Sequence, residues 1–202
     1  MGAALRRHNV TFCTRVELLV MQQTDSQVVR RVVTGDREAF ALLVDRYHAR
    51  CLRVATHLLA DADAADDAVQ ESFVRAYRHL GGYREQEKFG AWLMRILLNQ
   101  CRTQSARERR STYRDEQSVA ALDLQRVDQN AVGAAADRRD ELARALGQLP
   151  SQQREAVVLR FADELSFDEM STVTGVGVSA LKMRVQRACA RLRAILAEHI
   201  HA

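Results

Sequence analysis

Apolar residues recur every three or four positions along most of the chain, which predicts amphipathic helices rather than strands. In the first half, one such stripe is formed by Phe40, Leu43, Tyr47, Cys51, Val54 and Leu58. Near the carboxyl end, a second stripe is formed by Val178, Leu181, Val185, Ala188, Leu192 and Ile195. Only 5% of the residues are aromatic and one is proline, which also favours helices over a turn-rich β fold. The sequence therefore predicts an all-α protein.

Turn and capping signals divide the chain into separate helices. Asp25 or Ser26 is expected to cap a short first helix that ends near residues 34–36. The acids of residues 61–67 suit the first turn of a helix over roughly residues 65–80, where they favour the helix dipole. From about residue 111 to 137 the periodicity disappears, which predicts a linker between two helical domains.

Two helices around a tight turn are predicted over residues 165–193. Ser166 and Glu169 have the spacing of a capping box, and Gly175 interrupts the helical pattern. The second helix is basic outside its apolar stripe, with no acid between Gly175 and Glu198. This is the sequence form of a helix-turn-helix, whose second helix enters the DNA major groove. The alternative is a helical hairpin whose basic face is only solvated.

Positive charge is clustered rather than spread evenly. The net charge is +4, but from Arg95 to Arg114 six arginines are opposed by a single acid. Aromatic residues beside an arginine run suit single-stranded nucleic acid, through base stacking and phosphate contact. The alternative is that Phe89 and Trp92 are core residues beside a solvated basic helix end, and for Trp92 the core position is favoured. For Tyr83, in the preceding loop, both interpretations stay open.

Several function classes find no support in the sequence. The four cysteines, Cys13, Cys51, Cys101 and Cys189, are isolated. Three of them fall where a small buried residue suits a helix, which favours reduced core thiols of a cytosolic protein. No apolar run approaches membrane-spanning length, and no secretory signal is predicted. Asp66 and Asp67 have no paired histidine or metal-ligand spacing, so no catalytic residue, metal or cofactor is predicted.

Three separated motifs resemble the extracytoplasmic-function group of bacterial sigma factors, the two-domain members of the σ70 family. The first is ADDAVQESFVRAY at residues 65–77, and the second is FGAWLMRILLN at residues 89–99, followed by the arginine run. The third is LPSQQRE at residues 149–155, followed by the helix-turn-helix. The resemblance covers about residues 26–196, with the motifs in the family's order.

The resemblance implies two small helical domains joined by a flexible linker. An amino-terminal extension would occupy residues 1–21, either as a disordered tail or as an over-extended start site. A sigma-2-like helical bundle would span residues 22–110 and a linker residues 111–137. A sigma-4-like helix-turn-helix domain would span residues 138–202.

The resemblance also assigns roles to particular residues. Those implied to bind the polymerase core are Asp66, Asp67, Gln70 and Glu71. Those implied to bind the −10 element, including a base flipped out of the strand, are Tyr83, Arg84, Asn99, Arg102, Arg107, Arg109 and Arg110. Those implied to bind the −35 element are Ser179, Lys182, Met183, Arg184, Gln186 and Arg187.

The implied function is that of a sigma factor, which directs core RNA polymerase to specific promoters and helps to open the −10 element without itself being an enzyme. The implied partners are the β′ clamp helices and β flap of the polymerase, duplex and single-stranded promoter DNA, and an anti-sigma factor. No small-molecule substrate is implied. The implied location is the cytoplasm. A membrane-anchored anti-sigma factor would hold the protein at the inner face of the membrane. The alternative from another class is a dimeric helix-turn-helix repressor that binds its operator alone.

Four positions depart from the family's pattern. Thr103 stands where Asp is frequent, Glu164 where Gly is frequent, Gly177 where Pro is frequent, and Met183 where Ser is frequent. Since Met183 lies on the expected recognition helix, the sequence does not predict which −35 sequence is read.

Overall fold

A computed structural model describes residues 23–59, 61–84, 88–116 and 134–200, and it describes only the backbone of residues 108–116, 134–140 and 198–200. All regular structure in these ranges is helical, so the predicted all-α fold class is confirmed. The α-helices in chain order are α1 (Asp25–Val33), α2 (Phe40–Leu59), α3 (Ala62–His79), α4 (Phe89–Glu116), α5 (Ala134–Gly147), α6 (Ser151–Val157), α7 (Phe167–Thr174) and α8 (Val178–Ile200). Shorter elements are 3₁₀ turns at Arg37–Ala39 and Leu80–Gly82 and a π-helical turn at Val158–Ala162.

Helices α1 to α4 form an amino-terminal module around one apolar core. The stripe expected on α2 is confirmed, because Leu43, Cys51, Val54 and Leu58 are buried and Phe40 and Tyr47 are half-buried against them. Helix α4 adds the fully buried Phe89, Leu93, Met94, Leu97 and Leu98. Removing these apolar faces from water is the main stabilisation of the module.

The cap of α1 differs from the prediction. Its N-cap is Thr24, whose hydroxyl accepts a hydrogen bond from the Gln27 amide at 3.3 Å, while the Gln27 side chain accepts one from the Thr24 amide at 2.9 Å. Neither Asp25 nor Ser26 has a Glu or Gln three residues later, so neither forms this reciprocal pair. The Asp25 carboxylate instead accepts a hydrogen bond from the Tyr47 hydroxyl at 2.5 Å, which ties α1 to α2.

Gly90 of α4 lies directly against the Tyr47 side chain of α2. A Cβ atom added at Gly90 would lie 2.8 Å from Cε1 of Tyr47, closer than real Cβ contacts come. The neighbouring Phe89 ring packs on the Tyr47 ring with centroids 5.4 Å apart. A side chain at position 90 would therefore displace the Tyr47 ring from its present position.

Helices α5 to α8 form a carboxyl-terminal module that contains the predicted helix-turn-helix. Helix α7 is capped by Ser166, whose hydroxyl accepts from the Glu169 amide at 3.2 Å while the Glu169 carboxylate accepts from the Ser166 amide at 2.9 Å. The predicted capping box is thus confirmed. Gly175 ends α7 with a φ of 72°, a left-handed conformation that glycine adopts without steric cost.

Helical structure extends into both ends of the segment predicted as a linker. Helix α4 continues to Glu116, and α5 begins at Ala134. Residues 117–133 lie outside the described part of the chain, as does the predicted extension at residues 1–21.

The two modules pack against each other rather than lying apart. One contiguous cluster of buried side chains runs from Val28 in α1 to Val185 in α8. Helices α2 and α4 of the first module contact α6, the π-helical turn and α7 of the second. The sequence predicted two modules joined by a flexible linker and did not predict their packing. An apolar stripe shows which face of a helix is buried but not which element buries it.

Glu164, one of the departures from the family's pattern, has an unusual backbone conformation. Glu164 has a φ of 55°, and among the described residues it is the one non-glycine residue with positive φ. A side chain in this region costs about 1–2 kcal/mol, which fits the glycine that the resemblance implies at this position.

We expect Glu164→Gly to stabilise the protein by about 0.5–1 kcal/mol. The strain that is relieved in the folded state is larger than the cost of the extra conformational entropy that glycine gives the unfolded chain. Urea denaturation would measure the change in unfolding free energy. Glu164→Ala is the matched control, since it removes the same carboxylate but keeps the Cβ atom and should bring no gain. Equal stability of the glycine and alanine variants would contradict the explanation.

Candidate nucleic-acid and protein interfaces

Helix α3 buries one face and presents an acidic one. Ala65, Val69, Phe73 and Ala76 are buried, whereas the predicted polymerase-binding residues are all exposed, namely Asp66, Asp67, Gln70 and Glu71. The two sets lie on opposite sides because residues three and four apart share a helix face. Glu71 accepts a hydrogen bond from Arg75 at 2.7 Å, and this bond holds the pKa of Glu71 below its usual value. The structure thus brings the four predicted residues together on one solvent-facing surface.

Two apolar side chains extend this surface and were not predicted from the sequence. Val74 is 42% exposed and Tyr77 is 38% exposed, and they follow Gln70 at spacings of four and seven residues. The Tyr77 ring is held by an edge contact with Phe40, with centroids 5.2 Å apart. The sequence analysis assigned the solvent-facing side of α3 correctly from its polar residues, but it gave these two apolar residues no place on that side.

The loop after α3 places Tyr83 on an aromatic cluster. The Tyr83 ring is half-buried, with its centroid 5.2 Å from Trp92 and 5.9 Å from Phe89. Phe89 is buried and Trp92 is partly buried, so the core interpretation of these two residues is correct. Arg84 is exposed beside them. Phe89 and Trp92 therefore hold the Tyr83 ring in place, while part of this ring remains exposed to solvent.

The basic residues of α4 do not all share one environment. Asn99 and Arg107 are exposed, and the Asn99 side-chain oxygen accepts a hydrogen bond from Arg102 at 3.2 Å. The rest of the Arg102 guanidinium binds Glu155 of the other module, at 2.8 and 2.7 Å. Arg109 and Arg110 lie on the same helix, but their side chains are outside the described part. The structure thus brings Asn99 and Arg102 together, but Arg102 also forms an ion pair with the Glu155 carboxylate.

Four of the six residues predicted to read the −35 element share one exposed face of α8. At 100° per residue, this face contains Ser179, Lys182, Met183 and Gln186. Arg187 is exposed at the flank of this face. Arg184 points to the opposite side, where it lines a cleft of about 330 Å³ with Arg187 and the residues of 150–153. The exposed face of α8 therefore contains fewer residues than the set that was predicted to bind the −35 element.

Lys182 is held at the start of this face by an aromatic ring. Its ammonium group lies 5.8 Å from the centroid of Phe167, and the Arg160 guanidinium lies 5.1 Å from the same ring. Cation–π attraction of this kind restrains a flexible side chain while leaving its charge exposed. Phe167 is a supporting residue that the sequence analysis did not predict.

Comparison with known proteins identifies both modules. Residues 43–111 match the family Sigma-70 region 2, and residues 139–192 match the family Sigma-70, region 4. The RNA polymerase sigma-H factor of Pseudomonas aeruginosa is 33% identical over 184 residues, covering 84% of this chain and 92% of that protein. The ECF RNA polymerase sigma-E factor of Escherichia coli is 30% identical over 175 residues, covering 83% and 91%. The chain belongs to the extracytoplasmic-function group of the sigma-70 family.

Solved structures of other sigma factors resemble this one along most of their length. CnrH, solved in complex with the cytosolic domain of CnrY, is 29% identical with a TM-score of 0.65, covering 85% of this chain and 96% of that chain. The sigma factor RpoE of Bartonella quintana, solved with the anti-sigma factor NepR, is 25% identical with a TM-score of 0.62, covering 78% and 96%. Sigma factors direct RNA polymerase to promoters, so promoter-specific initiation of transcription is the function of this chain.

Two further observations concern the described part of the sigma factor. Within it, no group of three or more His, Cys, Asp and Glu side chains is arranged to hold a metal ion. None of its described helices combines the length and the apolar character needed to span a bilayer.

Proposed function

We propose that this sigma factor divides its work among three surfaces. The acidic face of α3 binds the β′ clamp helices of core RNA polymerase. The loop at Tyr83 and the exposed side of α4 bind the −10 element as a single strand. The exposed face of α8 reads the −35 duplex, and the carboxyl-terminal module also contacts the β flap.

Support for the polymerase surface comes from its charge and its solvent exposure. Asp66, Asp67, Gln70 and Glu71 lie beside the exposed Val74 and Tyr77. An apolar centre flanked by charges is the usual make-up of a protein–protein interface. Charges at such a site give orientation and partner choice as well as affinity.

Support for the −10 surface comes from stacking chemistry. Flipping a base out of a duplex costs a few kcal/mol, and stacking on an aromatic ring returns about 1–3 kcal/mol. Tyr83, braced by Trp92 at 5.2 Å, offers such a ring at low entropic cost. The Asn99 amide can form hydrogen bonds with a base edge, and Arg84, Arg102, Arg107, Arg109 and Arg110 would neutralise strand phosphates.

The −35 surface leads to a prediction about salt dependence. We expect Lys182→Ala to weaken promoter binding by the polymerase complex and to lower the slope of log K against log salt by about 0.9 if Lys182 contacts one phosphate. Equilibrium binding at several salt concentrations would measure both quantities. Arg191→Ala is the matched control, because Arg191 is exposed on the opposite side of the same helix. Equal effects of the two variants would rule out the assigned face.

The remaining proposals follow from the family. The chain performs no bond chemistry itself and takes no small-molecule substrate or cofactor. It acts in the cytoplasm, where polymerase and DNA are, and an anti-sigma factor restrains it, as NepR binds the Bartonella quintana relative.

One observation carries the proposal, namely that one chain contains both sigma-70 regions with the faces of α3 and α8 open to solvent. Run-off transcription on a promoter library, with purified core polymerase and the chain, would test it. We expect specific transcripts only when both are present. Tight operator binding by the chain alone, with no dependence on polymerase, would show a repressor instead.

A further inference from the structure

The second turn of α8 carries a large apolar side chain among polar ones. Met183 is 46% exposed, and of the large apolar side chains that are exposed in the described ranges it is the one on α8. Its neighbours one helical turn away include Ser179, Gln186 and Arg187, which are all exposed. These three can donate hydrogen bonds, whereas the thioether of Met183 has no donor and is only a weak acceptor. Met183 therefore differs from its neighbours in the kind of contact that it can make.

Met183 takes no part in the core of the carboxyl-terminal module. Leu181 and Val185, two positions before and after it, are only 1% and 8% exposed. At 100° per residue, two positions correspond to about 200°, so Met183 points away from the buried side of the helix. A methionine side chain that stays half in water forgoes the stabilisation that its burial would give. A partner that covers Met183 would recover this stabilisation.

The position of Met183 and the charge around it indicate what kind of partner covers it. Residues near the amino-terminal end of a recognition helix are those that reach base edges in the major groove. Lys182 and Arg187 flank Met183, and residues 176–197 include no acid. A basic surface of this kind is complementary to the phosphates on either side of a DNA groove. These neighbours therefore favour duplex DNA as the partner.

One group in the major groove matches the chemistry of a methionine side chain. The edges of the base pairs present hydrogen-bond donors and acceptors, and the C5-methyl group of thymine is their apolar feature. Met183 gains little from the polar groups, because it cannot donate a hydrogen bond, but it can bury a methyl group by contact. Its side chain is also unbranched and flexible, so it can adapt to the position of the methyl group.

We propose that Met183 is a specificity-determining residue of this sigma factor, and that it reads the C5-methyl group of a thymine in the −35 element by apolar contact. This inference rests on the proposed function of the exposed face of α8. The contact adds base choice at one position, while Lys182 would hold a phosphate whatever the sequence is. A serine at position 183 would form hydrogen bonds instead and would not distinguish the methyl group.

The test removes the methyl group from the DNA alone. A promoter selected from the library by core polymerase and the chain is remade with deoxyuridine in place of each −35 thymine in turn. Deoxyuridine lacks the C5-methyl group and keeps the base pairing. We expect one replacement to weaken promoter binding by the polymerase complex about fourfold, the factor that corresponds to one buried methyl-sized group. Full affinity at every replaced position, or a selected −35 element without thymine, would overturn the proposal.

Variants of Met183 assign the methyl contact to this side chain. Met183→Ser should bind the thymine and deoxyuridine promoters equally, because its hydroxyl group has no apolar contact to lose. Met183→Leu should keep most of the deoxyuridine penalty, because it retains an apolar side chain of similar volume. Since position 183 is exposed, both variants should fold, and far-UV circular dichroism would check this. A penalty in Met183→Ser as large as that of the unmodified chain would contradict the assignment.

Gln186→Ala is the matched control on the same face of α8. It should lower the affinity for the promoter but keep the fourfold difference between thymine and deoxyuridine. Loss of this difference in Gln186→Ala would show that the methyl effect is not specific to Met183.

A gain-of-contact experiment uses a promoter with cytosine in place of the sensitive thymine. Replacing this cytosine by 5-methylcytosine should strengthen binding by the unmodified chain about fourfold and leave binding by Met183→Ser unchanged. No gain with the unmodified chain would overturn recognition of the methyl group.

Two measurements separate this inference from the proposed function. The affinity of Met183→Ser for core polymerase without DNA should equal that of the unmodified chain. A loss there would show that Met183 contacts the polymerase and would overturn the inference alone. If the unmodified chain and core polymerase selected no promoter from the library, the proposed function would fail and this inference with it. Selection of a promoter in which no thymine methyl group affects binding would overturn only the role of Met183.

Discussion

Reversing two charges on α3, Asp66→Lys with Asp67→Lys, is expected to lower the affinity for core RNA polymerase at least about a hundredfold. Both carboxylates are exposed in the free chain, so the substitution should leave the fold intact. On docking they would lose water and face a basic partner, and a lysine there would add repulsion to the lost attraction. Fluorescence anisotropy of labelled sigma factor titrated with core enzyme would measure the change.

The control for this prediction is another exposed acid of the same module. Asp45 lies on the solvent side of α2, away from the acidic face of α3. Asp45→Lys changes the net charge in the same direction and should leave polymerase affinity almost unchanged. If Asp45→Lys and the α3 variant were equally impaired, the effect would be one of overall charge, and α3 would not be the docking face.

Replacing Tyr83 or Asn99 by alanine is expected to reduce promoter opening by about tenfold or more, while binding to core polymerase is kept. Loss of a stacking platform costs about 1–3 kcal/mol per base, and this cost applies only when the strand is open. Permanganate reactivity of unpaired thymines in the −10 region would measure opening. Anisotropy with core enzyme would measure binding in the same samples.

Tyr83→Phe is the matched control for the ring. It keeps the contacts with Trp92 and Phe89 but removes the hydroxyl group, so opening should remain close to that of the unmodified protein. This control also separates stacking from loss of packing, since alanine disturbs both. Parallel loss of opening and of polymerase binding in the alanine variants would contradict the assignment to the −10 strand.

Local sequence patterns were sufficient for most of the secondary structure. The apolar stripes of α2 and α8, the capping box at Ser166 and the glycine turn at Gly175 are all present as expected. Each depends on residues within one or two helical turns, and such short-range interactions can be derived from spacing alone. The cap of α1 was missed at Thr24 because three adjacent residues can each serve as a cap, and only Thr24 has Gln27 at the right distance.

Which surfaces are free for partners could not be derived from spacing. Arg184 and Lys182 are both basic residues of α8, but one lines a cleft against residues 150–153 and the other faces solvent. Likewise, Arg102 was expected to bind DNA, and its partner in the free chain is a carboxylate 53 positions further along. A basic residue has the same appearance in a sequence whether water, DNA or a distant carboxylate surrounds it.

The sequence by itself determined the helical class, the order of the motifs and the membership of the sigma factor family, since each is recorded in residues that are neighbours in the chain. Only the tertiary structure decided that the modules close on each other, that Gly90 lies against the Tyr47 side chain and that Glu164 adopts a positive φ. The physical reason is that burial, close approach of helices and long-range ion pairs depend on which elements meet. The ion pair between Arg50 and Asp163, which joins the two modules, spans 113 positions, a separation at which no local periodicity carries information.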